Sequence, residues 1–341
     1  MPQRVSLFVR QETMIQTTAY DLRSDFSSMN YTDLSAQYES AYHWFESFGF
    51  NVALTRLRQY KDCIDELVAH YQDGTLDVAR FRRDFAHQVA ALSEAAEIMR
   101  IHRGLVDLYS SELKEKISVV LSGKDGRPSP SDFDPSRDIA FELLLASLCR
   151  RAGLHVDIGA QADLIVYFAG IELFVECKRL KSSGKTRKRI KDALKQLHAR
   201  YKSAQSPDAA RGILALSITD LANPKHCLIT GKSAHEVSEK VQRHVDAFIS
   251  RHQQRWQETA DKRSIGAFVE FSAPSIVESK NLFTMCHQVG INNSCQLGNP
   301  RRICWETGRT RRLKRQMTEH PGSQLNFAIG VQCDHSRADL S

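Results

Sequence analysis

The most constraining stretch of the chain is DLIVYFAGIELFVECK, residues 163–178, in which two apolar runs flank a pair of small residues. Apolar and β-branched residues on both sides of Ala169 and Gly170 predict a β-hairpin with a two-residue loop. Phe168 then pairs with Ile171, and this register fixes the face of the sheet on which every other side chain of the two strands lies. The charged residues in this stretch are unexpected, because most of the other residues are apolar and suited to a buried position.

The same register sets the carboxylates of Asp163 and Glu176 directly opposite each other. Opposed β carbons lie about 4.5 to 5.5 Å apart, and Lys178 is a diagonal neighbour of Asp163 on the same face. Two acids this close repel each other unless a cation lies between them. Mg²⁺ prefers oxygen ligands, and it polarises a phosphoryl group and activates a bound water. The hairpin therefore predicts a divalent metal site in which Lys178 orients the water or stabilises the developing phosphorane charge.

The residues around the hairpin predict an ordered series of helices and strands. The series is a helix at 136–152, strands at 155–158, 163–168 and 172–179, a basic helix at 186–201, a strand at 212–220, a helix at 236–252 and a strand at 266–271. Asp134 before Pro135 predicts the start of the first helix, and Gly153 predicts its end. Within that helix, Glu142 is a carboxylate among apolar residues and is a third candidate ligand of the metal. Segments with helical periodicity alternate with segments typical of strands, which predicts an α/β fold with a mixed sheet flanked by helices.

The chain before this series has a helical pattern throughout residues 31–121. Apolar residues recur at steps of three or four between Phe81 and Met99, which is typical of an amphipathic helix. We predict an N-terminal all-helical domain at 1–122, a linker rich in proline and glycine at 123–135, the sheet domain at 136–290 and an irregular basic C-terminal tail at 291–341. The helical domain is also the candidate for a homo-oligomer contact.

Positive charge is concentrated in two segments of a chain whose net charge is +7. Residues 178–202 contain eleven Lys and Arg against one acid, and residues 301–315 contain seven against one. Clustered positive charge binds polyanions, because neutralising phosphates releases condensed counterions. The alternative is a solvated helix face. The residues predicted to bind nucleic acid are Lys185, Arg187, Lys188, Arg189, Lys191 and Lys195.

The charged residues of the sheet domain resemble the motif of the PD-(D/E)XK nuclease superfamily, whose core is a helix, three strands, a helix and a strand. The matching residues are an acid on the first helix, Glu142, an acid opening the second strand, Asp163, and an E-x-K on the third strand, Glu176 to Lys178. The resemblance covers about residues 134–220. The proline that usually precedes the aspartate is replaced by Ala162.

This resemblance implies a restriction-endonuclease-like fold and roles for individual residues. In the family the acids bind Mg²⁺ or Mn²⁺ and the lysine assists the attacking water, so Glu142, Asp163 and Glu176 are implied metal ligands and Lys178 an implied catalytic residue. The backbone carbonyl of Cys177 is implied as a further ligand. Many members place a glutamine on the next helix, and Gln196 fits that position, with Tyr201 as its companion.

Two further motifs are weaker. Residues 230–235, TGKSAH, end like a phosphate-binding loop, but His226 stands where the first glycine belongs. Cys and His residues between 286 and 335 are numerous enough for a zinc site, but their spacing matches no pairing rule. Neither motif is assigned a function.

The sequence thus predicts a metal-dependent nuclease, acting on DNA, with an intracellular defence or restriction role by family analogy. Scattered cysteines, the lack of a long apolar segment and the lack of a signal-peptide pattern predict a cytoplasmic protein without a membrane span. The alternatives are a catalytically inactive nucleic-acid-binding protein of the same fold and an assembly factor whose helical arm is its functional part.

Overall fold

The fold is mixed α/β, as the sequence predicts, in a computed structural model that describes residues 31–73, 78–124, 134–159, 162–168, 170–201, 204, 209–259, 263–280, 282–293 and 329–330. Most of the predicted linker and most of the predicted C-terminal tail lie outside these residues. None of the described helices is long and apolar enough to cross a membrane.

Helices form the N-terminal part of the fold and flank the sheet. They are α1 (Tyr31–Ser47), α2 (Arg56–Asp73), α3 (Val78–Leu105), α4 (Ser111–Leu121), α5 (Pro135–Arg151), α6 (Ser183–Tyr201), α7 (Thr219–Ala222) and α8 (Ala234–Thr259). The strands are β1 (His155–Asp157), β2 (Leu164–Phe168), β3 (Ile171–Arg179), β4 (Ala210–Ser217), β5 (Ile229–Gly231), β6 (Ser264–Val277), β7 (Leu282–Asn293) and β8 (Ile329–Gly330). The helical pattern predicted for 31–121 is therefore confirmed, whereas the division into domains stays a prediction.

The strands form one mixed sheet in the order β1-β2-β3-β4-β6-β7-β8, with β5 beside β6. Strands β1, β2 and β3 are antiparallel neighbours, and β3, β4 and β6 run parallel. Strand β7 pairs antiparallel with β6, and β8 pairs antiparallel with β7. Helix α6 connects the parallel strands β3 and β4, as parallel pairing requires a long crossover.

The β2–β3 hairpin has the register that the sequence predicts. Phe168 pairs with Ile171 and Leu164 pairs with Val175. Gly170 has a φ of +76°, in the left-handed region that favours glycine. Asp163 and Glu176 are the next residues outward from the last pair, Leu164 and Val175, so the hairpin sets them opposite each other at its open end.

Local signals explain the bounds of α5. The Asp134 carboxylate accepts a hydrogen bond from the Ser136 N–H at 3.0 Å, and Pro135 occupies the first helical turn. Gly153, with a φ of +76°, follows the last turn. Most of this helix is buried, because it lies between the sheet and the N-terminal helices.

Two hydrophobic cores lie on opposite faces of the sheet. One core joins α1 to α5 with one face of β1 to β4, and the other joins α6 and α8 with the opposite face. Strand β3 shows the alternation: Val175 and Cys177 belong to the first core, whereas Phe174 belongs to the second. Because the N-terminal helices share a core with the sheet, they hold α5 against its first face.

A buried ionic network also ties the N-terminal helices to α5. The Glu94 carboxylate on α3 accepts hydrogen bonds from Arg56 on α2, at 3.2 Å, and from Arg137 on α5. Arg137 also pairs with Asp134, the residue that caps α5. Charges removed from water are stable only when they are paired in this way.

Two expectations are corrected by the structure, and a third motif is given a structural role. Thr219 and Asp220 begin the short helix α7 instead of ending β4. Strand β7 was not predicted, and it extends to Asn293, so residues 291–293 are not part of an irregular tail. In TGKSAH, the Ser233 hydroxyl accepts from the Glu236 N–H, and the Glu236 carboxylate accepts from the Lys232 N–H. The Ser233 hydroxyl therefore caps the start of α8, and the Glu236 carboxylate satisfies the N–H of the residue before the cap.

Candidate functional site

Three charged side chains predicted for the site lie on the face of the sheet that α6 covers. Glu176 and Lys178 alternate with Cys177 along β3 and therefore share the face of Phe174, which packs in the α6 core. Asp163 precedes β2 and shares the face of Ile165, which also belongs to that core. The strand pleat thus sets these side chains on one face, at the open end of the hairpin.

Hydrogen bonds fix the relative positions of these groups. The Cys177 N–H donates to the Asp163 Oδ2 at 2.6 Å, which joins the two strands beyond their last paired residues. The Lys178 Nζ donates to the Glu176 Oε1 at 2.6 Å and lies 4.0 Å from the Asp163 Oδ2. One ammonium group therefore contacts both carboxylates.

Glu142 reaches the same cluster from α5, on the other side of the sheet. The Lys116 Nζ of α4 donates to the Glu142 carboxylate and also to the backbone carbonyl of Asp163 at 3.2 Å. The negative charge of Asp163 acts on both Glu142 and Glu176. The structure therefore gathers all three predicted acids and Lys178 within electrostatic range of one another.

Burial and mutual repulsion raise the pKa values of two of the acids. Burial is the largest cause for Glu142, the charge of Asp163 adds to it, and together they raise the pKa of Glu142 to about 7. The same two causes raise the pKa of Glu176. Burial acts to lower the pKa of Lys178, but the charges of Glu176 and Asp163 outweigh it and the pKa is raised. Lys178 is therefore a cation at neutral pH, and the carboxylates around it are crowded.

A buried carboxylate oxygen of Glu176 has no hydrogen-bond partner in the described part of the chain. Glu176 is 1% exposed, and its Oε2 is unsatisfied among the described residues. An unsatisfied buried carboxylate oxygen is costly, and it is a ligand type that Mg²⁺ and Mn²⁺ accept. No three Asp, Glu, His or Cys side chains in the described part of the chain are gathered as a metal-binding group. The ammonium groups of Lys116 and Lys178 lie against the acids.

Cys177 enters the site through its backbone. Its N–H contacts Asp163, whereas its side chain packs in the core on the opposite face of the sheet. Burial raises the pKa of the thiol well above its usual value, so the side chain is a neutral core residue. Only the main chain of Cys177 is thus placed beside the predicted metal ligands.

Gln196 forms no hydrogen bond with the acids in the described part of the chain, and its catalytic role stays a prediction. Its side chain is exposed and forms no hydrogen bond with another described residue. It lies four residues before Arg200, whose charge acts on Glu176, and therefore on the edge of α6 nearest the site. Tyr201 is buried and packs edge to face on Phe174 with ring centroids 6.4 Å apart, so its place is in the core.

Helix α6 presents a basic surface to solvent beside this cluster. Its apolar side chains pack in the second core, including Ile190, Leu194 and Leu197. Five of the six predicted nucleic-acid-binding residues are exposed: Lys185, Arg187, Lys188, Lys191 and Lys195. The sixth, Arg189, is half-buried and donates to the carbonyl of Arg179 at 3.4 Å, so it is partly committed to the end of β3.

Two residues of the cluster were missed by the sequence analysis. Lys116 lies on α4 and has no local signal that connects it with the hairpin. Asp138 lies one helical turn before Glu142, its Oδ1 is buried without a partner among the described residues, and the positive charges of Lys181, Arg179 and Lys178 act on it. The four-residue spacing from Glu142 sets Asp138 on the same face of α5, and this is the signal that could have identified it.

Models of known protein families and curated proteins were compared with the chain, and none of them matches it.

Proposed function

We propose that the chain is a metal-dependent nuclease of the PD-(D/E)XK type that hydrolyses phosphodiester bonds in DNA. The observation that carries the proposal is the cluster at the open end of the hairpin. There, Lys178 contacts Glu176 at 2.6 Å and lies 4.0 Å from Asp163, and a buried oxygen of Glu176 has no partner among the described residues. Crowded buried charge with shifted pKa values is concentrated in proteins at functional sites.

The order of the elements supports the proposal. Helix α5, the strands β1, β2 and β3, helix α6 and strand β4 follow one another along the chain, with β4 parallel to β3. This is the order of helix, three strands, helix and strand on which the resemblance rests. The acids also occupy the corresponding elements: Glu142 on the first helix, Asp163 before the second strand and Glu176 on the third.

The residues present fit a divalent cation. Asp163 and Glu176 would hold it through carboxylate oxygens, the backbone of Cys177 adjoins Asp163, and Glu142 is the remaining acid. A bound Mg²⁺ or Mn²⁺ supplies Lewis-acid polarisation of the phosphoryl group and a more acidic water. The crowding that raises the pKa values of Glu142 and Glu176 is relieved by positive charge in the cluster.

Lys178 has the properties of an electrostatic catalyst. Its raised pKa keeps the ammonium charged, so it donates hydrogen bonds and does not accept a proton. A fixed cation beside the reacting phosphate stabilises the charge that develops in the transition state, and its N–H groups orient the attacking water. The Glu176 carboxylate positions the ammonium through the bond at 2.6 Å.

The basic surface of α6 supplies a binding function that suits the same substrate. Its exposed lysines and arginines neutralise phosphates without reading sequence. Helix α6 begins four residues after β3 ends, so this surface lies next to the cluster that carries Lys178. DNA held along the helix therefore passes the candidate catalytic groups.

Cleavage assays test the proposal directly. Plasmid DNA and a short RNA are incubated with the purified protein in Mg²⁺, Mn²⁺ or EDTA, beside the variants Lys178→Ala and Asp163→Asn. Lys240→Ala is the matched control, because this lysine lies on α8 and pairs with Glu236, away from the cluster. We expect metal-dependent cleavage of DNA that both site variants lose and the control keeps. Cleavage that survives in both site variants contradicts the assignment.

A nucleic-acid-binding protein without catalysis is the second candidate function. It is favoured by the two ammonium groups that already lie against the acids. This alternative predicts that the wild type binds DNA with the same affinity in Mg²⁺ and in EDTA and cleaves it in neither.

A further inference from the structure

Helix α4 holds Lys116 rigidly against the candidate site. The Ser110 hydroxyl caps the helix by accepting from the Leu113 N–H at 3.1 Å. Leu113, Ile117 and Val120 are buried in the core that α4 shares with α5. Lys116 lies beside this buried face and is 19% exposed, so its stem is packed and its ammonium has few alternative positions.

The ammonium of Lys116 contacts two groups that a metal ion on this side of the cluster would use. It donates to the Glu142 carboxylate and to the Asp163 carbonyl, at 3.2 Å in the second case. Both partners are oxygens, which are the ligands that Mg²⁺ and Mn²⁺ require. A cation already lies between Glu142 and Asp163, and that cation is Lys116.

On the opposite side of the cluster, the Lys178 ammonium lies 2.6 Å from Glu176 and 4.0 Å from Asp163, but it leaves one carboxylate oxygen of the described residues unsatisfied. There the Oε2 of Glu176 is buried and has no partner among the described residues, although Lys178 contacts the other oxygen of the same carboxylate. Asp163 is 20% exposed and adjoins Glu176 across the hairpin. Among the three predicted acids, the oxygen without a partner in the described part of the chain is the Oε2 of Glu176, whereas Lys116 already lies against Glu142. The buried Oδ1 of Asp138 on α5 also lacks a described partner, and the positive charges of Lys181 and Arg179 act on that carboxylate.

We propose that Lys116 is a positioning residue that takes the place of a second metal ion, so that the site holds one divalent cation, between Asp163 and Glu176. This inference rests on the proposed nuclease function and deepens it. Glu142 then acts by anchoring the ammonium of Lys116 and is not a direct ligand of the metal. The N-terminal helices thereby contribute a residue to the site, and the sheet alone is incomplete.

The stoichiometry of Mn²⁺ tests this inference independently of catalysis. Bound Mn²⁺ is counted by electron paramagnetic resonance on the full chain without nucleic acid. We expect one ion per chain in the wild type and a second, weaker ion in Lys116→Met, which frees the Glu142 and Asp163 oxygens. The double variant Lys116→Met with Glu142→Gln should return to one ion, because the second site loses its carboxylate.

Two further variants separate a specific role from a structural one. Lys116→Arg keeps the positive charge and should bind one ion, like the wild type. Lys114→Met removes an exposed lysine of the same helix that lies over the ring of Phe50, and it should also bind one ion. Circular dichroism and thermal unfolding establish that each variant is folded. If Lys116→Met does not fold, Lys116→Gln takes its place: two ions support the inference and one ion opposes it.

The outcomes also distinguish this inference from the proposed function. Two ions in the wild type together with metal-dependent cleavage overturn the role of Lys116 and leave the nuclease assignment standing. An unchanged count in a folded Lys116→Met likewise overturns it. No bound Mn²⁺ in the wild type overturns both proposals. One bound Mn²⁺ in the wild type without cleavage of any nucleic acid overturns the nuclease assignment. In that case the number of Mn²⁺ ions bound by the Lys116 variants still decides the role of Lys116.

Discussion

The carboxylate of Asp163 accepts a hydrogen bond from the backbone N–H of Cys177 at 2.6 Å, across the open end of the β2–β3 hairpin. This bond holds an acid from one strand against the Glu176 to Lys178 segment of the other. A main-chain donor on one strand therefore limits where the side-chain carboxylate of the other strand can lie. A site built in this way is preorganised, which is the property that catalysis by fixed charges requires.

Asp163→Asn should separate catalysis from folding. The amide oxygen of asparagine can still accept from the Cys177 N–H, but the negative charge is lost. We expect DNA cleavage to fall at least about 100-fold, as for the loss of other fixed transition-state charges, while DNA affinity in EDTA stays within about twofold. Single-turnover cleavage and fluorescence anisotropy measure the two quantities. A variant that cleaves at the wild-type rate removes Asp163 from the mechanism.

The basic surface of α6 should dominate the salt dependence of DNA binding. Replacing Lys188, Lys191 and Lys195 with Gln removes three exposed charges from one face of the helix. The slope of log K against log salt should decrease in magnitude by roughly 0.9 for each phosphate that is no longer neutralised, or about 3 in total. Titrations at several salt concentrations measure the slope. Lys240→Gln on α8 is the control, and a triple variant with an unchanged slope places the DNA elsewhere.

Glu142 should make the metal-free protein less stable as the pH rises. Its folded-state pKa of about 7 exceeds the ordinary 4.5, because burial and Asp163 disfavour its charge. The folded state therefore holds a proton that the unfolded state has released between these values, and the free energy of unfolding falls across that window by about 3 kcal/mol. Above pH 7, Glu142→Gln avoids this loss.

Urea denaturation in EDTA at pH 4.5 and pH 8 measures the effect. Between pH 4.5 and pH 8 the wild type should lose about 3 kcal/mol of unfolding free energy that Glu142→Gln does not lose. The variant should therefore gain about that much stability relative to the wild type at the higher pH. The exposed Glu115→Gln variant on α4 is the matched control and should stay within about 0.5 kcal/mol of the wild type. A difference for Glu142→Gln that does not change with pH contradicts the prediction.

Glu94 should be the most sensitive point of the buried ionic network. Glu94→Ala leaves the guanidinium groups of Arg56 and Arg137 buried without this partner. The loss of one member of a buried charge pair costs about 3 to 5 kcal/mol, because the remaining charge is not solvated. Thermal and urea unfolding measure the loss. Asp65→Ala, which removes a half-exposed partner of Lys61, should cost less than about 1 kcal/mol. Equal losses in the two variants contradict the interpretation of the network.

Local signals in the sequence determined the parts of this protein that lie close together along the chain. The hairpin register followed from the two small residues between its apolar runs, and the start of α5 followed from Asp134 and Pro135. In both cases the residues that specify the geometry are neighbours in sequence. The local hydrophobic pattern and the turn and capping preferences of these residues are therefore enough to predict it. The opposition of Asp163 and Glu176 was predicted for this reason, although nothing in the sequence establishes their role.

Only the tertiary structure determined the features that depend on distant packing. Strand β7 exists because it pairs along its length with β6, and its mixture of polar and apolar residues carries no clear alternation. Gly290 on β7 allows close approach of α8, since a β carbon there would lie 2.7 Å from atoms of Val245 and Ile249. Lys116 meets Glu142, 26 residues away, only because α4 packs on α5. A charge on a separate helix has no local signature, and its position is set by the cores on which the two helices rest.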